Sequence, residues 1–193
     1  MTTETKSKDI DNMDIQELRE ELKALRNSEA YYRSLFDNTP VSLEEADFSG
    51  VKAFLNDLRT KGVQDIREYF EEHPKAIFEC IDTTIEDYSI NREFLSLYKA
   101  ESKQDFMNRA CLVPEEDTTL YNKDFYRGLT TLFVALENGA TRFSTVMTEV
   151  DLEGGTPFRA EVTWVIVPGY EDTWASVITC TIPLDRMSPP SSI

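Results

Sequence analysis

The stretch TRFSTVMTEVDLEGGTPFRAEVTWVIVPGYEDTWASVITCTI, residues 141–182, decides the architecture of this chain. Up to Gly139 the apolar side chains recur every three or four positions; from Thr141 they alternate, as in a half-buried strand. The alternation divides into strands predicted over 141–152, 158–167 and 174–182, separated by Glu153-Gly154-Gly155 and by Pro168-Gly169-Tyr170-Glu171-Asp172. Connections this short and glycine-bearing join antiparallel neighbours, so the three strands are expected as a meander. The middle strand sets Phe158, Ala160, Val162, Trp164 and Ile166 on one face. Its other face starts polar at Arg159, Glu161 and Thr163 and ends apolar at Val165 and Val167.

Immediately before the meander, residues 118–138 place Phe125, Leu129, Leu132, Phe133 and Leu136 at helical spacing, with Gly139 as terminator. Such a wide apolar face suits a helix lying on a sheet. A short helix is predicted over 102–109, and another, carrying Phe94, Leu95, Leu97 and Tyr98, starts after Asn91 as its cap. Residues 41–48 and 83–90 read as strands. Between them lies a helical insert over 49–81. Its first helix has Val51, Phe54, Leu55 and Leu58 on one face, Ser49 as N-cap and Gly62 as stop. A second, with Val63, Ile66 and Phe70, closes before His73-Pro74, because proline drives the preceding residue out of the helical region; a third covers 75–81. At the front, residues 13–30 form an amphipathic helix with Ile15, Leu18, Leu22 and Leu25 spaced three, four and three apart. Two heptads do not hold a coiled coil alone, so this helix is expected either to cap its own domain or to pair with a second copy. Residues 1–12 are expected as a disordered lead. Residues 183–193, broken by Pro183, Pro189 and Pro190, are expected as a tail.

The chain has 193 residues, 40% of them hydrophobic, which is room for one domain with appendages. Twenty Lys and Arg face 36 Asp and Glu, a net charge of −16 and a pI near 4.4. That acidity opposes binding to a phosphate backbone and to an anionic membrane surface, so neither nucleic acid nor membrane is expected as a partner. No apolar run approaches the roughly 18 residues of a membrane span, and the N-terminus lacks the apolar core of a signal peptide, so a cytoplasmic protein is expected. Cys80, Cys111 and Cys180 are odd in number and sit among apolar neighbours, which suits reduced, buried thiols. One His and seven Gly leave little for metal ligation, nucleophile–base pairs or phosphate loops, so no metal site and no catalytic residue is expected.

Strand, helical insert, strand, short helices, long helix and three-stranded meander is the order of a PAS domain, and particular segments support the resemblance. YYRSLFDNTP (31–40) resembles the opening of many PAS sensory boxes, and SINREFLSLYKAES (89–102) resembles their central strand-to-helix passage. VSLEEADFSGVKAFLNDLRTKGVQDIREYFEEHP (41–74) is similar to a subgroup of bacterial and archaeal sensor proteins, often histidine kinases, with a helical insert after the first strand. The approach to the meander at Gly139–Phe143 and the turn WVIVPG (164–169) are similar too. The resemblance implies an α+β, PAS-like fold over 31–182, a five-stranded antiparallel sheet with helices on one face. It departs from the family at Cys180-Thr181-Ile182-Pro183, where the usual Asp-Ile-Thr exit is missing, and no kinase region follows in these residues.

What the resemblance implies for function is a non-catalytic sensory module that signals as a homodimer, paired through Ile15, Leu18, Leu22 and Leu25, and binds a small apolar ligand or a protein partner. Tyr98, Phe125, Leu129, Phe133, Ala160, Val162, Trp164 and Ile178 are the candidate pocket wall. No cofactor is expected: the long helix has no His to ligate haem, and the flavin-binding Asn-Cys-Arg motif is absent, with Ile178 standing where the flavin-contacting Gln would be. Two alternatives stay open. The chain could be the detached sensor region of a histidine-kinase phosphorelay, acting on a separate kinase or regulator, or a small cone-shaped α+β enzyme with Glu149 as its central carboxylate.

Overall fold

The computed structural model describes residues 15–73, 76–77, 80–81, 88–110 and 123–184. The expected lead, the tail expected over 183–193 apart from Pro183 and Leu184, Cys111, the start of the long helix and most of the strand expected over 83–90 lie outside them; Pro183 is instead the last residue of the final strand. The chain divides into a helical unit ending at Asn38 and a larger unit beginning at Thr39.

The helical unit is α1 (Ile15–Asn38), 24 residues and about 36 Å long at 1.5 Å per residue. Polar pairs one turn apart support it: Gln16 Nε2 donates to Glu20 at 3.1 Å, and Arg33 pairs with Glu29 at 3.1 Å. Asn38 Nδ2 closes the helix on the Ser34 carbonyl at 2.7 Å. The helix runs past its expected end at residue 30, so 31–38, where the PAS-like segment opens, is helical. None of its residues is buried, and Ile15, Leu18, Leu22 and Leu25 are exposed.

The larger unit runs β1 (Ser42–Ala46), α2 (Ser49–Thr60), α3 (Ile66–Glu72), β2 (Tyr88–Ile90), α4 (Arg92–Tyr98), α5 (Lys103–Ala110), α6 (Lys123–Glu137), β3 (Arg142–Val150), β4 (Pro157–Ile166) and β5 (Val177–Pro183). The strands form one antiparallel sheet in the order β2-β1-β5-β4-β3. α4 lies on β1, α6 on β3 and α3 on α6. The core between sheet and helices holds Leu55, Phe70, Leu132, Phe133, Met147, Ala160 and Val162. The approach of α6 to β3 depends on Gly128: a Cβ there would stand 3.0 Å from Met147 Cε. Among the described residues no helix is long and apolar enough to cross a membrane.

Local chemistry accounts for most element ends. Asp65 accepts from the Arg67 and Glu68 amides at 2.8 and 3.0 Å and caps α3. Ser49, expected as an N-cap, is instead the first helical residue of α2; Phe48 holds the cap position, and Asp47 takes the Ser49 amide at 2.8 Å. The last strand begins at Val177 rather than at residue 174. Trp174 is held in the left-handed region (φ 60°) with its amide on the Tyr170 carbonyl at 2.7 Å, a conformation no strand accommodates. Lys52 clamps this turn, donating to the Asp172 carbonyl at 2.7 Å and lying 5.2 Å over the Trp174 ring.

Candidate functional site

Asn91 sets the position of α4. Its Oδ1 accepts from the Phe94 amide at 2.9 Å as an N-cap and from the Leu43 amide at 3.0 Å, while its Nδ2 donates to the Val41 carbonyl at 2.8 Å. One buried side chain thus ties the helix start to β1. The other end is fixed by Lys99, left-handed at φ 56°, whose ammonium meets Asp151 at 2.9 Å and Glu153 at 3.2 Å. Burial pushes the Asp151 carboxyl up, but the hydrogen bonds from Lys99 and from the Gly154 and Thr156 amides outweigh it and hold it below its ordinary value. The Leu152 amide donates to the Tyr98 carbonyl at 3.1 Å, so the β3–β4 hairpin and the end of α4 hold each other.

Tyr98, placed by those two anchors, is buried among Phe94, Phe106 and Phe158, with ring centroids 4.5, 5.7 and 5.9 Å away. The Glu149 carboxyl and the Thr181 hydroxyl both act on the ionisation of its hydroxyl. Burial and the nearby Glu149 push the Tyr98 hydroxyl well above its ordinary value. Burial raises Glu149 itself from 4.5 to about 8, against the lowering effect of the Tyr98 hydrogen bond. Glu44 is raised from 4.5 to about 7 by burial, and its charge acts on both Tyr98 and Glu149.

Side-chain alternation along the strands puts Glu44, Glu149 and Thr181 on the inner face. On β1 it carries Ser42, Glu44 and Ala46; on β5, Val177, Thr179 and Thr181; on β4, the five apolar residues from Phe158 to Ile166; on β3, Thr145, Met147 and Glu149. Ser42 stands opposite Thr181, and Glu44 opposite Thr179. The Ser42 hydroxyl is buried with no hydrogen-bond partner.

Of the residues expected in a pocket wall, Leu129, Phe133, Ala160, Val162 and Trp164 are buried in the core with Tyr98, and Phe125 is packed against it, partly buried. Ile178 is a correction. It pairs with Glu45 and Val165, which face away from the core, so it lies on the outer face. The wall is also more polar than expected, since Ser42, Glu44, Thr179 and Thr181 were not anticipated. Their only sequence signal is polar residues at alternate positions of two short strands.

Other titratable groups fall elsewhere. His73 ends α3, stacked on Tyr69 at 4.6 Å with Nδ1 3.0 Å from the Tyr69 carbonyl. Cys80 is buried, and burial pushes up the thiol of the partly buried Cys180. Among the described residues no three His, Cys, Asp or Glu side chains gather as a metal site. A cleft of about 330 Å³ lined by Lys52, Asn56, Glu137, Thr141, Asp172 and Trp174 among others contains none of the inner-face polar residues.

No family model matches the sequence, and no curated protein does. Among solved structures, the chain is similar to the Rhodobacter sphaeroides LOV protein, at 15% identity and a TM-score of 0.48 over 81% of this chain; it spans 66% of that protein's length. It is similar to the LOV domain of a blue-light activated histidine kinase from Erythrobacter litoralis, at 14% identity and a TM-score of 0.43, covering 76% of this chain and 98% of that one. The PAS domain of an HTR-like protein from Haloarcula marismortui is 11% identical with a TM-score of 0.45, over 86% of this chain and 99% of its own. Along the chain, β1, the insert helices, β2, the short helices, α6 and the β3–β5 meander follow the order that the sequence resemblance implied, joined in one antiparallel sheet: the chain has a PAS-like fold.

Proposed function

We propose that this chain is a sensory module that takes a small ligand between α4, α6 and the inner face of its sheet, and that it signals as a dimer paired through α1. The observation that carries the proposal is the convergence of Tyr98, Glu149, Glu44, Thr181 and the unpartnered Ser42 hydroxyl within an otherwise apolar wall. A few placed polar groups among aromatic and aliphatic side chains make up the usual chemistry of a small-molecule site. Such a ligand acts through its different affinity for two arrangements of the module. The exposed stripe Ile15, Leu18, Leu22 and Leu25 supports pairing with a second copy, because its spacing is that of a two-helix seam. Output then passes to a separate kinase or regulator, and no haem or flavin is required. Native mass spectrometry of freshly purified protein tests both parts. A dimer carrying retained small-molecule mass supports them, a ligand-free monomer refutes them, and L18E/L22E is expected to abolish the dimer.

The inner position of Glu149 favours a second reading, a small enzyme. A carboxyl raised to about 8 is suited to proton transfer near neutral pH. Turnover of a retained ligand that is lost in Glu149→Gln would establish it; release of the ligand unchanged would dismiss it.

A further inference from the structure

Among the described residues, the inner face beside Tyr98 offers acceptors and no cation. Ser42 is 5% exposed, its hydroxyl unpartnered, and it faces Thr181 across the β1–β5 pair. Two residues along the same face, Glu44 is subject to burial alone, with no hydrogen bond lowering it. Glu149 stands on the same face, on β3, and acts together with Thr181 on the Tyr98 hydroxyl. The neighbouring described cations are engaged elsewhere. Lys99 binds Asp151 and Glu153, Arg109 binds Asp105 and the Lys99 carbonyl, and Lys52 lies on Trp174. Arg142 and Arg159 fall at the strand positions that face away from the core. Native interiors leave few polar groups unpaired, and carboxyls that share an interior demand positive charge or protons.

We propose that this face binds a small organic ammonium. Its N–H groups donate to Glu44, to Ser42 Oγ and to the Tyr98–Glu149 pair, while its carbon skeleton lies against Phe133, Val162 and Trp164. An ammonium presents three donors and one charge, which a neutral alcohol lacks and a carboxylate reverses. A bare metal ion fits less well, because the surrounding side chains are aromatic and aliphatic and no cluster of three ligating side chains is present among the described residues.

The inference rests on the interior ligand site proposed above, and the probes separate the two. Titration calorimetry and thermal unfolding of the full chain at pH 7.5 compare butylammonium with 1-butanol, butyrate and butyltrimethylammonium, which keeps the charge but has no N–H. Only butylammonium is expected to bind saturably and raise the melting midpoint. Glu44→Gln is expected to weaken it at least about tenfold and Ser42→Ala by a few-fold, in keeping with the loss of a charged and of a neutral acceptor. Circular dichroism of both variants verifies the fold. Equal binding of butylammonium to wild type and Glu44→Gln, or equal binding of butyltrimethylammonium, would overturn the ammonium. Binding of 1-butanol or butyrate alone, with perturbed Trp164 and Tyr98 signals, would overturn it while leaving the interior site standing. No binding of any probe, together with a ligand-free native mass spectrum, would remove both.

Discussion

Replacing Glu149 by Gln should flatten the loss of stability this protein undergoes as the pH rises from 5 to 8.5. In the unfolded chain Glu149 ionises near 4.5; in the folded chain burial delays ionisation to about 8. Across that window the native state keeps a proton that the unfolded state has released. The stabilisation is therefore complete below about 4.5 and falls as the pH climbs towards 8. At about 1.4 kcal/mol per pH unit, the full window would correspond to about 5 kcal/mol. Glu149 is only partly buried, and solvent screening brings the expected value to about 2 kcal/mol. Gln preserves the shape without an ionisable proton, so the variant removes the titration with little change in packing. Urea unfolding followed by tryptophan fluorescence at pH 5 and pH 8.5, for both proteins, yields the double difference. Wild type should lose about 2 kcal/mol more than Glu149→Gln over the interval. Parallel profiles within about 0.5 kcal/mol, the resolution of such extrapolations, would refute the assignment of a partly buried, proton-holding carboxyl to Glu149.

Three further outcomes are expected. Asn91→Ala removes a buried side chain that holds four backbone groups, and should cost about 3 kcal/mol in urea unfolding; a loss under about 1 kcal/mol would mean α4 is not anchored through it. Asp151→Ala leaves Lys99 and the hairpin amides without their shared buried acceptor and should lower stability by about 3 kcal/mol, with early amide exchange at Gly154 and Thr156 reporting the loosened hairpin. Gly128→Ala sets a methyl 3.0 Å from Met147 Cε in the buried contact of α6 with β3; the resulting crowding should exceed the gain in helix propensity of about 1 kcal/mol and lower the melting midpoint, whereas a raised midpoint would show that Met147 gives way freely.

Much of the fold is legible in local chemistry. The change from helical to alternating spacing at Gly139 marks the end of α6 and the start of the meander, and Asn91 is a cap for the same reason in the sequence and in the structure: a short amide side chain can replace the missing helical partner of an N–H. Ser49 misled because Asp47, two residues earlier, takes the Ser49 amide and lets the helix begin at Ser49. The trailing end of α1 misled because Tyr32 and Glu29 interrupt the apolar stripe, while helix continuity depends on backbone bonds and i,i+4 pairs such as Glu29–Arg33.

The candidate site divides along the same line. Tyr98, Leu129, Phe133, Ala160, Val162 and Trp164 can be assigned inward from the sequence, because on their elements one face is clearly apolar. Ile178 cannot, because β5 carries apolar residues at both parities, and only the register with Glu45 and Val165 selects its face. Ser42, Glu44, Tyr98, Glu149 and Thr181 lie on four elements spread from residue 42 to residue 181 and share no local motif. By itself, then, the sequence determined the elements, their order and the acidic character of the chain, which depend on periodicity and composition. Tertiary structure alone decided which polar groups meet around Tyr98, because strand pairing brings distant residues together and burial, a property of the assembled interior, alters their protonation.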